Sequence, residues 1–483
     1  MTSPMEMAGR ALIRTGALIN GQFVSEGAAL PVFDPANGNL LGHVPDLPDA
    51  RIQEAISAAH AAFKPWAQTP PLARAAILER WNDLILAQAE GLGALLALEN
   101  GKPLAEAIGE IRYAASFVHW FAQEALRLDG DVIASARAGE RIVTLKEAVG
   151  LVGAITPWNF PAAMITRKAA PALAAGCTIV LKPAPQTPFT ALALAALALE
   201  AGLAPGALHV LTGDAGRIGA ALTQSPLVRK ISFTGSTAVG RRLAQAAAGG
   251  LQRVSLELGG AAPLIVFDDA DLEQAVAGAI AAKFRNAGQT CVCPNRIYAQ
   301  AGVFERFVAR FSEEVGKLQV GAPFDPGVQI GPLISPAGLA KVEDHVARAC
   351  ASGARLLTGG HRADAEGRFF QPTVTAGGDD ALFRDEETFG PYAPVFRFEQ
   401  EVQALEAANA TPYGLAAYVF TKDGARQWRM ASGLEAGVIG LNTGITSSAM
   451  NPFGGMKQSG YGREGSRYGM EDFIAVKSIT FTP

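Results

Sequence analysis

From Val143 onward the chain alternates short apolar runs with helix-like stretches. Residues 149–155, 178–181, 208–211 and 228–233 read as buried strands, with helices over 162–175 and 190–201 between them. Strands that are apolar throughout and joined through helices imply right-handed crossovers and a parallel sheet covered on both faces. A second series starts after Glu257, with a strand at 263–267, a helix at 272–287 and further alternation to about Phe420. The pattern therefore predicts two α/β units in tandem. Before Val143 the period changes. Residues 51–63, 71–100 and 103–126 repeat apolar positions every three or four places, which predicts three amphipathic helices. Residues 130–142, with a polar tip at 138–141, read as a projecting β-hairpin, and 474–481 as a lone tail strand. A hairpin and a strand without neighbours expose unpaired edges, and the expected partner for both is another subunit.

Composition narrows the function more than the fold. The 483 residues suffice for about three folding units. A formal net charge of −4 gives no basic field for nucleic acid or an anionic membrane. Glu6, Arg10 and Arg14 interrupt the first twenty residues, which lack the apolar core of a secretory signal. The longest apolar stretch, 189–204, is mostly alanine and leucine and carries Glu200, so it reads as a packed helix rather than a membrane span. A cytoplasmic protein is expected. Cys177, Cys291, Cys293 and Cys350 make no disulfide framework, there is no Cys-x-x-Cys pair, and the six histidines are scattered. No metal is expected.

Three segments carry candidate chemistry. In NAGQTCVC (286–293), Cys291 follows a helix on a loop suited to entering a cleft. It reads either as a nucleophile or as a small buried apolar group. A thiolate there needs positive surroundings, and Arg285 is the nearby source. In VSLELGG (254–260), Glu257 stands where a strand should be apolar; burial would raise its pKa and make it a usable base, although a paired strand-end glutamate looks the same. In ITPWNFP (155–161), two prolines stiffen a turn after a strand. Asn159 there offers an amide donor for a developing oxyanion or is an ordinary turn residue.

Taken together, TPWNFP (156–161), FTGSTAVG (233–240), LELGG (256–260), GQTC (288–291), EETFGP (386–391) and PFGG (452–455) resemble the aldehyde dehydrogenase family, in order and over nearly the whole chain. The resemblance implies an α/β fold with a Rossmann-type NAD(P)-binding domain (1–126 and 148–257), a catalytic domain (258–469) and a small β oligomerisation element (127–147 and 470–483). It makes Cys291 the nucleophile, Glu257 the base that activates water, and Asn159 the oxyanion donor beside the cysteine's own N–H, with Lys168 a further polar residue near them. Thiolate addition makes the aldehyde carbon tetrahedral, so that hydride leaves to a nicotinamide and the thioester is hydrolysed. Relatives that pass the acyl group to coenzyme A generally lack this glutamate, so a carboxylic acid product is expected.

The cofactor residues follow in the same way. The segment from Gly235 to Gly240 follows a strand and opens a helix, where glycines admit a pyrophosphate to the helix N-terminus. The resemblance makes Ser236 a phosphate contact, has Glu387 and Phe389 hold the nicotinamide ribose and ring, and adds Thr156, Trp158 and Gly219 to the cofactor set. Lys182 and Pro185 fall at the adenosine ribose. Relatives that favour NAD commonly carry glutamate where this chain has Pro185, so NADP is expected to be preferred and NAD accepted. The segments 162–168, 283–293 and 445–448 are similar to the succinate-semialdehyde dehydrogenase branch. In that branch the residues at Arg167, Arg285 and Ser447 bind the substrate's distal carboxylate, which suits guanidinium geometry. The expected reaction is oxidation of succinate semialdehyde to succinate. The alternatives are glutarate semialdehyde, a general or betaine-aldehyde activity, and a non-catalytic member, although a non-catalytic chain need not have kept Cys291, Glu257 and Asn159. Cys293 reads as a packed thiol or as the partner of Cys291 in a reversible disulfide. A homo-oligomer, dimer or tetramer, is expected.

Overall fold

The computed structural model describes residues 3–364 and 367–482. Positions 1, 2, 365, 366 and 483, which fall within the predicted domain spans, lie outside the described residues.

Two sheets organise the chain. The first runs, edge to edge, Gln22–Val24, Ala17–Ile19, Leu208–Val210, Thr178–Lys182, Leu151–Ile155, Val228–Thr234, Arg253–Glu257 and Gly460–Tyr461. Its five central strands are parallel, as the uniform apolar runs predict. Strand order reverses between Leu151–Ile155 and Val228–Thr234, the kind of switch point where open α/β sheets take ligands beyond their carboxyl ends. Both edges are antiparallel additions that the sequence pattern did not predict. At one, Ala17–Ile19 pairs with Leu208–Val210; at the other, Gly460 comes back from the second unit to pair with Glu257. The second sheet runs Arg355–Thr358, Thr373–Ala376, Tyr392–Phe398, Pro294–Gln300, Ala262–Val266, Ala416–Phe420 and Val438–Leu441, again with a parallel centre.

Three predictions need correction. The single helix expected over 71–100 is two, Pro71–Ala87 and Ala89–Asn100, broken at Gln88, whose ψ is 18°. The bend lays the second helix against its neighbour so closely that a Cβ on Gly93 would meet the backbone of Ile108 at 2.9 Å. The helix expected over 272–287 ends at Phe284, because residues 285–288 tighten into a turn with Asn286 and Ala287 at φ 53° and 54°. Finally, the tail strand is not alone. Ile474–Phe481 pairs antiparallel with Arg141–Ala148 through eight residues, and Val132–Ala134 pairs with the far side of the same strand. The hairpin and the tail satisfy each other within one chain.

No described helix is long and apolar enough to cross a membrane.

Candidate active site

The carboxyl ends of the first sheet and the loop entering the second meet around Cys291. Glu257 closes the strand Arg253–Glu257, and Gly259 and Gly260 carry the chain past the nucleophile. A Cβ on Gly260 would lie 2.7 Å from the carbonyl oxygen of Cys291, so this crossing needs a glycine. On the other side, the strained pair Asn286–Ala287 turns the chain back. The Glu106 carboxylate holds the N–H of Asn286 at 2.9 and 3.1 Å, and Gln289 N–H donates to Asn286 O at 3.0 Å. The Val292 carbonyl accepts from Tyr418 Oη at 2.9 Å. Cys291 therefore sits on a loop held by hydrogen bonds on both sides of it.

Asn159 is tied to that loop. Its Nδ2 donates to Gln289 O at 3.1 Å, while its own carbonyl accepts from Lys102 Nζ and Asn286 Nδ2 at 3.1 and 2.9 Å. One amide hydrogen serves the loop and the second stays available to a developing oxyanion.

Two cavities meet at Cys291, which lines both together with Met164. The larger is a cleft of about 240 Å³ that includes Trp158, Asn159, Gly235, Ser236, Glu257, Glu387 and Phe389 in its walls. Ser236 caps the helix Thr237–Ala248, accepting from Val239 N–H at 3.4 Å, so the helix N-terminus faces the cleft. Trp158 and Phe389 meet edge-on at 5.5 Å. Glu387 Oε1 is buried without a partner, and burial pushes that carboxyl up to about 8, with Lys341 opposing. An orphaned carboxyl oxygen, a glycine-lined wall and a helix N-terminus at the cleft are among the groups that a nicotinamide dinucleotide requires. These residues fit such a cofactor.

The remaining cofactor predictions, Thr156, Lys182, Pro185 and Gly219, lie off the cleft wall. Thr156 N–H donates to Lys182 O at 3.1 Å, and Lys182 is buried, which lowers its ammonium to about 8. Pro185 is exposed three residues beyond it. Gly219 is buried inside the helix Ala215–Gln224, where an added Cβ would only touch Leu243 and Ile155 at ordinary contact distance.

The smaller, narrow pocket brings Arg167, Arg285 and Ser447 together with Cys291. Arg167 is 2% exposed on the buried helix Ala163–Ala175. Its guanidinium lies 4.3 Å over the Phe453 ring and 5.1 Å over that of Phe117, and its Nε is 3.2 Å from Glu464 Oε2. Its Nη2 has no partner among the described residues. Arg285 lies 5.1 Å over the ring of Phe160.

The charges around the nucleophile differ from expectation. Burial pushes the Cys291 thiol up to about 12; Glu387 adds to the rise, while Arg167 and Arg285 pull against it. Arg285 acts in the predicted sense but loses to desolvation, because a thiolate in a narrow apolar wall gives up its water. The Glu257 carboxyl shifts in the direction that burial predicts. Neither of its oxygens has a hydrogen-bond partner, and burial, reinforced by Glu464, raises it well above the carboxylate range. Lys168 does not reach either cavity. It is buried behind them in an ion pair with Glu464, which also faces Arg167. Cys293 lines neither cavity, and its thiol donates to Gly288 O at 3.2 Å and accepts from Lys283 Nζ at 3.6 Å. Sequence reasoning missed Glu464, whose glycine-rich surroundings (460–465) show no period, and Tyr113, which lies within a segment read only as an amphipathic helix; Phe453 entered only as part of the PFGG motif, with no role.

Among the described residues no cluster of His, Cys, Asp or Glu is arranged to hold a metal. A thiol, a buried unpaired carboxyl and an amide donor around one cleft are the groups that thiol-dependent oxidation of an aldehyde requires. The model described as "Aldehyde dehydrogenase family" matches residues 23–479, and the chain belongs to that family. The succinate-semialdehyde dehydrogenase GabD of Escherichia coli, an NADP(+) enzyme, is 52% identical over 476 residues, covering 98% of this chain and 99% of that one. A glutarate-semialdehyde dehydrogenase of Pseudomonas aeruginosa is 49% identical over 478 residues, with 98% and 99% covered. The crystal structure of an NADP-dependent enzyme of E. coli superposes with a TM-score of 0.97 at 52% identity, covering 98% and 99% of the two chains.

Proposed function

We propose that the protein oxidises a short aldehyde bearing a distal carboxylate, succinate semialdehyde first, to the corresponding acid. The observation that carries this is the shared pocket of Cys291, Arg167, Arg285 and Ser447. Two guanidiniums in a shielded pocket attract an anionic tail and repel a cationic one, which disfavours the betaine-aldehyde reading. With the tail held there, the aldehyde carbon is presented to the Cys291 sulfur. The thiolate adds to it, and Asn159 Nδ2 and the Cys291 N–H receive the oxyanion. A bound nicotinamide supplies the hydride acceptor in the larger cleft. Glu257, whose affinity for a proton burial raises well above that of an ordinary carboxylate, deprotonates the water that cleaves the thioester. The glutamate itself favours hydrolysis over transfer to coenzyme A.

NADP is the preferred cofactor in this proposal, with NAD accepted. Lys182 and the absence of an acidic side chain at Pro185 support it. Glutarate semialdehyde is the second reading, favoured by the P. aeruginosa relative. One methylene changes pocket discrimination by only about 1–3 kcal/mol. We also assign 1–126 with 148–257 to cofactor binding, 258–469 to catalysis, and 127–147 with 470–483 to assembly of a dimer or tetramer. Exposed Val132, Val476 and Phe481 on the three-stranded sheet support assembly. A Cys291–Cys293 disulfide remains part of the proposal only as an oxidised form, since Cys293 is otherwise engaged by Lys283 and Gly288.

The test is a panel of succinate semialdehyde, glutarate semialdehyde and butanal, each with NADP and NAD. The expected order places both semialdehydes well above butanal in kcat/KM, and NADP above NAD. Butanal matching the semialdehydes would sink the substrate reading, and NAD surpassing NADP would sink the cofactor reading.

A further inference from the structure

The pocket holds a donor that neither the sequence nor the family motifs point to. On the helix Leu104–Ala125, Tyr113 and Phe117 stand one turn apart on the same face. Their rings meet edge-on at 4.9 Å and 68°, and Phe117 in turn lies 5.1 Å from the Arg167 guanidinium. This stack ties the orientation of the tyrosine ring to that of the arginine. Tyr113 reaches the wall of the narrow pocket alongside Arg167, Arg285, Ser447 and Cys291.

Its hydroxyl is buried and has no hydrogen-bond partner among the described residues. Buried phenols ordinarily find one, because an unpaired donor has lost its water without replacement. Arg167 Nη2, on the same wall, is in the same condition. Two orphaned donors facing one pocket call for a ligand with several acceptor sites, and a carboxylate offers about four.

We infer that Tyr113 is a specificity-determining residue that donates its phenol O–H to the distal acid group of the aldehyde, beside the Arg167 guanidinium. The inference rests on the reading of this pocket as the site of an anionic tail. A guanidinium attracts any anion at a distance, whereas a phenol O–H discriminates at contact. An aldehyde ending in a methyl group would bury it unpaired, and one ending in an acid satisfies it. Phe117 serves as the positioning residue beneath both.

Tyr113→Phe removes the oxygen and keeps the ring that packs on Phe117. The experiment compares kcat/KM for succinate semialdehyde and butanal in wild type and variant, with succinate inhibition as a second readout. A charge-assisted hydrogen bond predicts a fall of about tenfold or more for the semialdehyde, carried mainly by KM, with butanal unchanged or improved. Inhibition by succinate must weaken in parallel. If wild type favours the semialdehyde and the variant keeps the same ratio, the assignment of Tyr113 is overturned while the anion pocket stands. An equal loss on both aldehydes overturns it too, since that is the signature of a packing role. If wild type shows no preference for the semialdehyde, the anion reading fails and takes this inference with it.

Discussion

At the scale of single residues, the site works against its own nucleophile at rest. Burial holds Cys291 up to about 12 and Glu257 well above the usual carboxylate range, while the chemistry needs both deprotonated. Raising the pH populates the working form of each, so turnover should climb as the pH is raised from neutrality into the alkaline range. A pH–rate profile that falls across this interval would contradict the assignment of roles. Glu257 was legible in the sequence because a charged residue interrupts an apolar strand. Cys291 and Asn159 were ambiguous alone and gained meaning only from the other motifs. Glu464 was not legible. Its role comes from facing Arg167 and Lys168, 297 and 296 positions away, and no local pattern encodes such a meeting. Arg285 was legible as a charge, but its effect on the thiol depended on how much water the fold removes.

At the scale of elements, the parallel strands were readable because both of their faces are buried and their apolar runs are uninterrupted. Boundaries were readable only where local chemistry sets them. The helix Leu272–Phe284 stops short of its apolar pattern because Glu106, from a distant helix, captures the N–H of Asn286. The tail strand looked unpartnered because its ladder with Arg141–Ala148 joins segments more than three hundred residues apart. One crossing matters more than the rest for activity. The peptide of Gly260 passes so near Cys291 that a methyl group there would press on the nucleophile's carbonyl oxygen. Gly260→Ala should therefore lower kcat by roughly tenfold to a hundredfold through misplacement of the sulfur, with the far-ultraviolet circular dichroism spectrum unchanged. Near-normal kcat in a folded variant would show that the loop has more room than this geometry allows.

At the scale of the whole molecule, two α/β units face one another with their catalytic parts divided between them. The first sheet supplies Asn159, Glu257 and the helix cap at Ser236, while the loop leading into the second sheet supplies Cys291. Gly460 returns to pair with Glu257, so the strand carrying the base is clasped by a segment of the later chain. The two cavities proposed for cofactor and substrate share a wall at the sulfur. Cys291, which with Met164 lines both, is the reacting group of the proposal, and that claim can be tested on a single peptide. In the Glu257→Gln variant, hydrolysis should stall after the sulfur has been acylated. Incubation with NADP and succinate semialdehyde, followed by acid quench and peptide mass mapping, should find a succinyl group on the peptide bearing Cys291 and on no other cysteine. An unmodified Cys291 in a variant that still forms one equivalent of reduced cofactor, or an acyl group at another residue, would contradict the account.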